Sequence, residues 1–213
     1  MNSKKKLGII GSGDLGQLIA HHALINCGFN EVLFFDDFKS PKDIVNNNIV
    51  YGGIKDIEKA FNNNEISHII IAVGYKHMEF RKTLFKQFSG KIPFASIIHP
   101  SSSIDRSCKL GEGIVVLPGC ILDMNVEISD NVLLNTGCVI SHDSTIKAHS
   151  FLSPRVAVAG FVEIGEGCII GINTTIIDNI QINDFVQTGG GTVVIKNLIE
   201  RGLYVGNPAR FIK

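Results

Sequence analysis

The chain has 213 residues, and its 20 Lys plus Arg balance 20 Asp plus Glu, so the formal charge at pH 7 is zero. That balance excludes the basic footprint of a nucleic-acid or anionic-membrane binder, and no apolar run approaches the roughly 18 residues needed to span a bilayer. Five cysteines without a CxxC pair point to neither a disulfide framework nor a zinc site.

The start, MNSKKKLGIIGSGDLG, sets a basic patch before apolar residues. Its apolar stretch is only Leu7 to Ile10 before Gly11, Gly13 and Asp14 interrupt it, too short for a secretory leader. A reducing, cytoplasmic location is therefore expected. KKLGII reads as a strand ending in glycine, GDLGQLIAHHALINCG as a helix that stops at Gly28, and EVLFF as a second strand leading to Asp36 and Asp37. HIIIAVG reads as a third strand and HMEFRKTLFKQF as a helix, while Asn46–Asn48 and Asn62–Asn64 read as loop or helix ends. Strands joined by helical crossovers predict a parallel α/β sheet over residues 1–97.

Gly11-x-Gly13-x-x-Gly16 lies between the first strand and the first helix, with Asp36 following at the distance of a dinucleotide fingerprint. Backbone N–H groups and a helix N-terminus there suit phosphate. A nicotinamide enzyme needs a second nucleotide half and a catalytic domain, for which these 97 residues leave no room, so a nucleotide sugar is the better fit. The same glycines are also what a tight strand-to-helix turn requires.

From Ile104 the period changes. An aliphatic residue recurs at every sixth position through Leu110, Val116, Leu122, Ile128, Leu134, Ile140, Ile146, Leu152, Val158, Ile164, Ile170, Ile176 and Ile182; Thr188 breaks the series and Val194 resumes it. A helical face repeats every 3.6 residues, so a sustained period of six means stacked coils of a parallel β-helix over residues 98–213. Cys108, Cys120, Cys138 and Cys168 fall on the small inward position of the hexad and read as core filling. His142 follows inward Ile140 by two residues and is expected at a corner, facing outward, beside Asp143. An imidazole there, oriented by a carboxylate, suits a general base near neutral pH; it suits a solvated turn equally well. His142 and His149 are seven apart with no third histidine in the repeat, so no metal is expected. If three hexads make one coil, Met124 and Gly160 flank His142 about 4.8 Å away, and Gly160 leaves a slot beside the ring.

The segments IIGSGDLG, FFDDFKS, IAVG followed by Arg81, IIHPSSSI, LNTGCVISHDSTI, IIGIN, TGGGTVV and VGNPAR resemble, in order, the bacterial nucleotide-amino-sugar N-acetyltransferases, which include sialic-acid-pathway O-acetyltransferase-like members. The resemblance spans nearly the whole chain. It implies a Rossmann-like nucleotide-sugar domain joined to a left-handed β-helix, and homotrimers with active sites at subunit interfaces. It implies acetyl-CoA as acyl donor and the C4 amine of a nucleotide-linked, UDP-type 4-amino-4,6-dideoxy sugar as acceptor, within bacterial glycan biosynthesis. His142 becomes the base and Asp143 its partner. Gly11, Gly13, Asp14, Leu15, Asp36, Asp37 and Gly74 take the nucleotide sugar. Asn135, Ile172 and Gly190 meet acetyl-CoA, Gly160 borders its pantetheine arm, Phe151 stands where relatives place a second histidine against the acetyl group, and Lys196 and Arg210 lie toward its phosphates. Two alternatives stay open: an O-acetyltransferase acting on a sialic-acid-like or other hydroxyl acceptor, and a non-catalytic trimeric scaffold that only binds nucleotide sugar.

Overall fold

The computed structural model describes residues 5–213; the basic start at residues 1–4 lies outside them. The chain splits between Ile97 and Ile98 into two compact units. No helix among the described residues is long and apolar enough to cross a membrane.

The N-terminal unit is built on one sheet. In chain order it comprises β1 (Lys6–Ile10), α1 (Asp14–Asn26), β2 (Glu31–Phe35), β3 (Ile44–Val45), β4 (Asn48–Gly52), α2 (Ile57–Asn62), β5 (His68–Ile71) and α3 (Met78–Phe88). The sheet order is β3-β4-β2-β1-β5, with β4, β2, β1 and β5 parallel and β3 antiparallel at the edge. β1, β2 and β5 read as near-continuous aliphatic runs because both of their faces are covered. α1 ends where Gly28 enters the left-handed region (φ 73°) and Phe29 N–H returns to the Ala23 carbonyl.

The loop read at Asn46–Asn48 is the tip of the β3–β4 hairpin, whose flanking strands the sequence reading did not include, with Asn46 and Asn47 both at positive φ (46° and 64°). Two left-handed residues make the turn that matches the twist of paired strands, and asparagine tolerates that conformation.

The C-terminal unit is a parallel β-helix with three faces. Face I stacks Ser103–Ile104, Ile121–Leu122, Val139–Ile140, Ala157–Val158, Thr175–Ile176 and Val193–Val194. Face II stacks Lys109–Leu110, Glu127–Ile128, Thr145–Ile146, Glu163–Ile164 and Gln181–Ile182. Face III carries Val115–Val116, Leu133–Leu134, Phe151–Leu152, Ile169–Ile170, Val186–Thr188 and Gly202–Val205, and Arg210–Phe211 closes it antiparallel. The second residue of each strand points inward, so Leu122, Ile140, Val158 and Ile176 form one aliphatic ladder and Ile128, Ile146, Ile164 and Ile182 another. Cys120, Cys138 and Cys168 fill the small inward positions and are fully buried. Burial pushes the Cys168 thiol up to about 12, which leaves it inert as a nucleophile.

The corners repeat as strictly as the strands. Gly113, Gly119, Asn125, Asn131, Gly137, Asp143, His149, Arg155, Phe161, Gly167, Asn173, Asn179, Phe185 and Gly191 all have positive φ, one every sixth residue. Gly and Asn dominate because only they enter this region cheaply. Phe161 (φ 58°) and Phe185 (φ 57°) sit there against their preference.

Candidate active site

His142 lies on the edge between faces I and II, and its side chain is 42 % exposed. Its ring is held on three sides. Nδ1 is 3.0 Å from Oδ2 of Asp143. The Phe161 ring meets it edge to face, with centroids 5.2 Å apart. Gly160 lies beneath it: a Cβ there would come within 2.7 Å of Cε1 and 2.9 Å of Nε2. The room left by Gly160 is therefore filled by the imidazole itself, and the open slot anticipated from the sequence is absent. An ionised carboxylate only accepts, so Nδ1 carries the proton and Nε2 keeps its lone pair in the neutral ring.

Asp143 is fixed in turn by Asn125, whose Nδ2 donates to Oδ1 at 3.0 Å. The Asn125 amide first, then the His142 ring, hold the Asp143 carboxyl below its ordinary value. Ser144, next in the corner, is buried; its hydroxyl donates to the Ala159 carbonyl and accepts from Val162 N–H. This corner is thereby tied to the coil that carries Gly160.

The other residues expected around the acyl donor are not beside His142 within one chain. Asn135, Ile172 and Gly190 lie on the edge between faces III and I, across the width of face I. There Ile172 is exposed and rests over Gly190, whose Cβ would lie 3.0 Å from Ile172 Cγ2. Phe151 is buried on face III, in register with Leu133 and Ile169. His149 sits on the third edge, buried, with Nδ1 3.0 Å from the Asn131 amide. Its own edge and side-chain packing hold it away from His142 within one chain. Lys196, just past the last face I strand, and Arg210, on the closing strand of face III, are exposed.

In the N-terminal unit a cavity of about 290 Å³ is lined by Ile10, Gly11, Phe35, Asp36, Asp37, Phe38, Ile54, Val73, His77 and Phe80. Its walls are apolar and its two carboxylates are engaged. Asp36 accepts from the Ser12 hydroxyl (2.6 Å), Ser12 N–H (2.9 Å) and Phe38 N–H (2.9 Å). Partial burial raises the Asp36 carboxyl, but these donors, with Lys39, outweigh it and leave it below its ordinary value. Asp37 accepts from Ile54 N–H at 2.8 Å. Arg81, buried, donates to the Val73 carbonyl at 2.8 Å and so steadies the wall of the cavity.

Gly11, Asp36 and Asp37 of the expected nucleotide set line this cavity; Gly13, Asp14, Leu15 and Gly74 do not. Gly11 (φ 102°) makes the turn, and Gly16 packs against the Gly11 carbonyl, where no side chain fits. Asp14 opens α1, so an acidic residue stands in the first turn of the helix whose N-terminus takes a phosphate in the fingerprint arrangement.

A sequence model of the PglD N-terminal domain matches residues 6–88. Over 98 % of this chain the fold superposes on the acetyltransferase domain of PglB from Neisseria gonorrhoeae, with a TM-score of 0.90 at 25 % identity and all of that chain covered. It superposes equally well, with a TM-score of 0.90 at 27 % identity, on GDP-perosamine N-acetyltransferase from Caulobacter crescentus, solved as a histidine-to-alanine variant with CoA and GDP-perosamine; 98 % of this chain and 97 % of that one are covered. Over nearly its whole length the chain is thus similar to bacterial nucleotide-sugar acetyltransferases. Among curated sequences, UDP-3-O-acylglucosamine N-acyltransferase of Bordetella pertussis is 36 % identical over 66 residues, 31 % of this chain. The match spans only 18 % of that relative's length, so it is a match of one segment and not of the whole protein. Among the described residues no cluster of three or more His, Cys, Asp or Glu is arranged to hold a metal.

Sequence reasoning named His142, Asp143 and Gly160 but missed Asn125 and Phe161. Both stack on Asp143 at the eighteen-residue spacing of one coil, so the arithmetic that paired Gly160 with His142 would have found them.

Proposed function

We propose that this chain transfers the acetyl group of acetyl-CoA to the C4 amine of a UDP-linked 4-amino-4,6-dideoxy sugar, with His142 as general base. The observation that carries this reading is the seated imidazole: Nδ1 tied to Asp143, Nε2 free to accept, and the ring at an exposed edge. The reading includes a Rossmann-like role for the N-terminal unit, a left-handed coil and a cytoplasmic trimer.

Two features support the trimer. Face I presents Ile121 and Val139, 46 % and 37 % exposed, to solvent, as a face meant for covering does. The edges that border it each hold half of the expected site. A second copy against face I brings the His142 edge of one protomer to the Asn135, Ile172 and Gly190 edge of its neighbour. The Thr188–Thr192 run, with three glycines beside exposed Ile172, offers a smooth apolar strip and backbone donors that suit a pantetheine chain. Lys196 and Arg210 supply charge for its phosphates.

In the reaction the amine nitrogen attacks the thioester carbonyl carbon. Nε2 of His142 takes the amine proton, and Asp143 stabilises the imidazolium across Nδ1. A backbone N–H at the edge faces the carbonyl oxygen as it gains charge. The C–S bond then breaks and the coenzyme leaves as the thiol, receiving the proton from His142. No acyl-enzyme is needed, in keeping with a corner whose Ser144 hydroxyl is buried and engaged by the Ala159 carbonyl and Val162 N–H. The nucleotide occupies the cavity beside Gly11, Asp36 and Asp37.

The test is a panel of UDP-, GDP- and dTDP-linked 4-amino sugars, with hydroxyl-bearing counterparts, incubated with acetyl-CoA and followed by mass spectrometry. A mass gain of one acetyl group on a UDP amino sugar, lost in His142→Ala, is expected. Acetylation of hydroxyl acceptors alone, or no product with any acceptor, overturns the proposal.

A further inference from the structure

The edge that carries His142 contains a column of residues at the left-handed corner position: Asn125 (φ 60°), Asp143 (φ 57°) and Phe161 (φ 58°). Ser107 precedes them by one coil. From Ser107 to Asp143 the column is hydrogen-bonded. Asn125 N–H donates to Ser107 Oγ at 2.8 Å. The Asn125 side-chain amide donates to Asp143 Oδ1 at 3.0 Å. The other carboxylate oxygen, Oδ2, meets His142 Nδ1 at 3.0 Å.

We infer that Asn125 is a positioning residue for catalysis, holding the Asp143 carboxylate in the rotation that fixes the His142 ring. The inference rests on His142 acting as the base. A carboxylate accepts and does not donate, so the amide must present its NH₂ group, and only one orientation of Asn125 is compatible with the contact. With one oxygen bound to each neighbour, the carboxylate cannot turn about its Cβ–Cγ bond without breaking both contacts. The surroundings supply no replacement. A polar groove of about 300 Å³ opens over Ser107, Lys109, Asn125, Glu127, Asp143 and Thr145, and its one cation, Lys109, is bound to Glu127 at 2.5 Å. Without the amide, Oδ1 turns to water and Oδ2 loses its fixed direction. Ser107 closes the chain: its hydroxyl donates to Asp105 at 2.6 Å while accepting from Asn125 N–H, which fixes the backbone from which the amide projects.

Asn125 also serves the fold, since its corner requires positive φ. The decisive variant is therefore Asn125→Gly, which removes the amide and keeps the backbone conformation accessible. With the purified full chain, acetyl-CoA and the acceptor found in the panel, Asn125→Gly is expected to lower kcat about tenfold, the scale of one charge-assisted hydrogen bond. KM for both substrates is expected to stay within about twofold, since the amide touches neither. Asp143→Ala is the partner in a double-mutant cycle. Because Asn125 acts only through Asp143, Asn125→Gly is expected to cost nothing further in the Asp143→Ala background. Wild-type kcat in Asn125→Gly, or losses that multiply in the double variant, overturns the inference. Full turnover in His142→Ala overturns the base reading and this inference together. Loss in His142→Ala beside full kcat in Asn125→Gly overturns this inference alone.

Discussion

Replacing Gly160 by alanine tests the seat of the imidazole. The added Cβ would stand 2.7 Å from Cε1 and 2.9 Å from Nε2 of His142. Ordinary van der Waals contact begins at 3.4 Å, so the ring must retreat by about 0.7 Å (3.4 − 2.7). Asp143 and Phe161 hold its other sides, so the retreat lengthens the 3.0 Å contact to Asp143 or tilts the ring off Phe161. A misplacement approaching 1 Å at a reacting group costs up to about 10²-fold in rate, and Gly160→Ala is expected to lose between about tenfold and 10²-fold in kcat. Stability should hardly change: residue 160 needs no left-handed backbone, and the displaced ring is partly solvated, so a shift within roughly 0.5 kcal/mol is expected. Thiol release from acetyl-CoA, read with a chromogenic disulfide, gives kcat; thermal melting gives stability. Wild-type turnover in a normally folded Gly160→Ala protein would refute the seating of the base against this glycine.

Phe161→Asn should separate stability from activity in the opposite sense. Asparagine relieves a left-handed aromatic by about 1 kcal/mol, raising the melting temperature, while loss of the ring beside His142 lowers kcat; a fall in both would contradict the account of this corner. Ile140→Ala removes a fully buried side chain from the face I ladder and should cost about 2–5 kcal/mol in urea unfolding. Asp36 has its carboxyl held below the ordinary value of 3.8, so its contribution to stability is present above that pH and fades as pH falls through the lowered value. Wild type should exceed Asp36→Asn in urea midpoint at pH 7, and the gap should close on acidification below pH 3.8; a gap independent of pH would remove the carboxylate's role in closing the Ser12 loop.

The β-helix was legible because a period of six constrains every residue. The aliphatic ladder through Ile104, Leu122 and Ile140, the inward cysteines and the outward corner histidine all follow from one count. His142 and Asp143 were found by the same count, with the resemblance to known acetyltransferases adding the chemistry. What stayed hidden depended on the neighbouring coil or on a second edge. Asn125 looks like any turn asparagine until it is stacked under Asp143. Gly160 reads as an empty slot until the imidazole is seen lying in it. Asn135, Ile172 and Gly190, which the resemblance assigns to acetyl-CoA, lie a face away from His142 within one chain, a placement that the count of hexads alone fixes. In the N-terminal unit, Asp14 and Gly74 came from the resemblance, which carries positions over along the chain without showing which of them line the cavity. The Asn46–Asn47 hairpin was missed because two left-handed asparagines leave no periodic mark.

The three-sided stacking also governs how such a chain can change length. Duplicating or deleting eighteen consecutive residues returns every later side chain to the edge it occupied before, one storey higher or lower. Duplicating six preserves strand, corner and aliphatic ladder alike, yet turns everything downstream onto the next edge, so that residues sharing one edge with His142 would no longer stack on it. Length variation in this unit is therefore tolerated in whole storeys and punished in thirds, even though the interior would register no difference between the two.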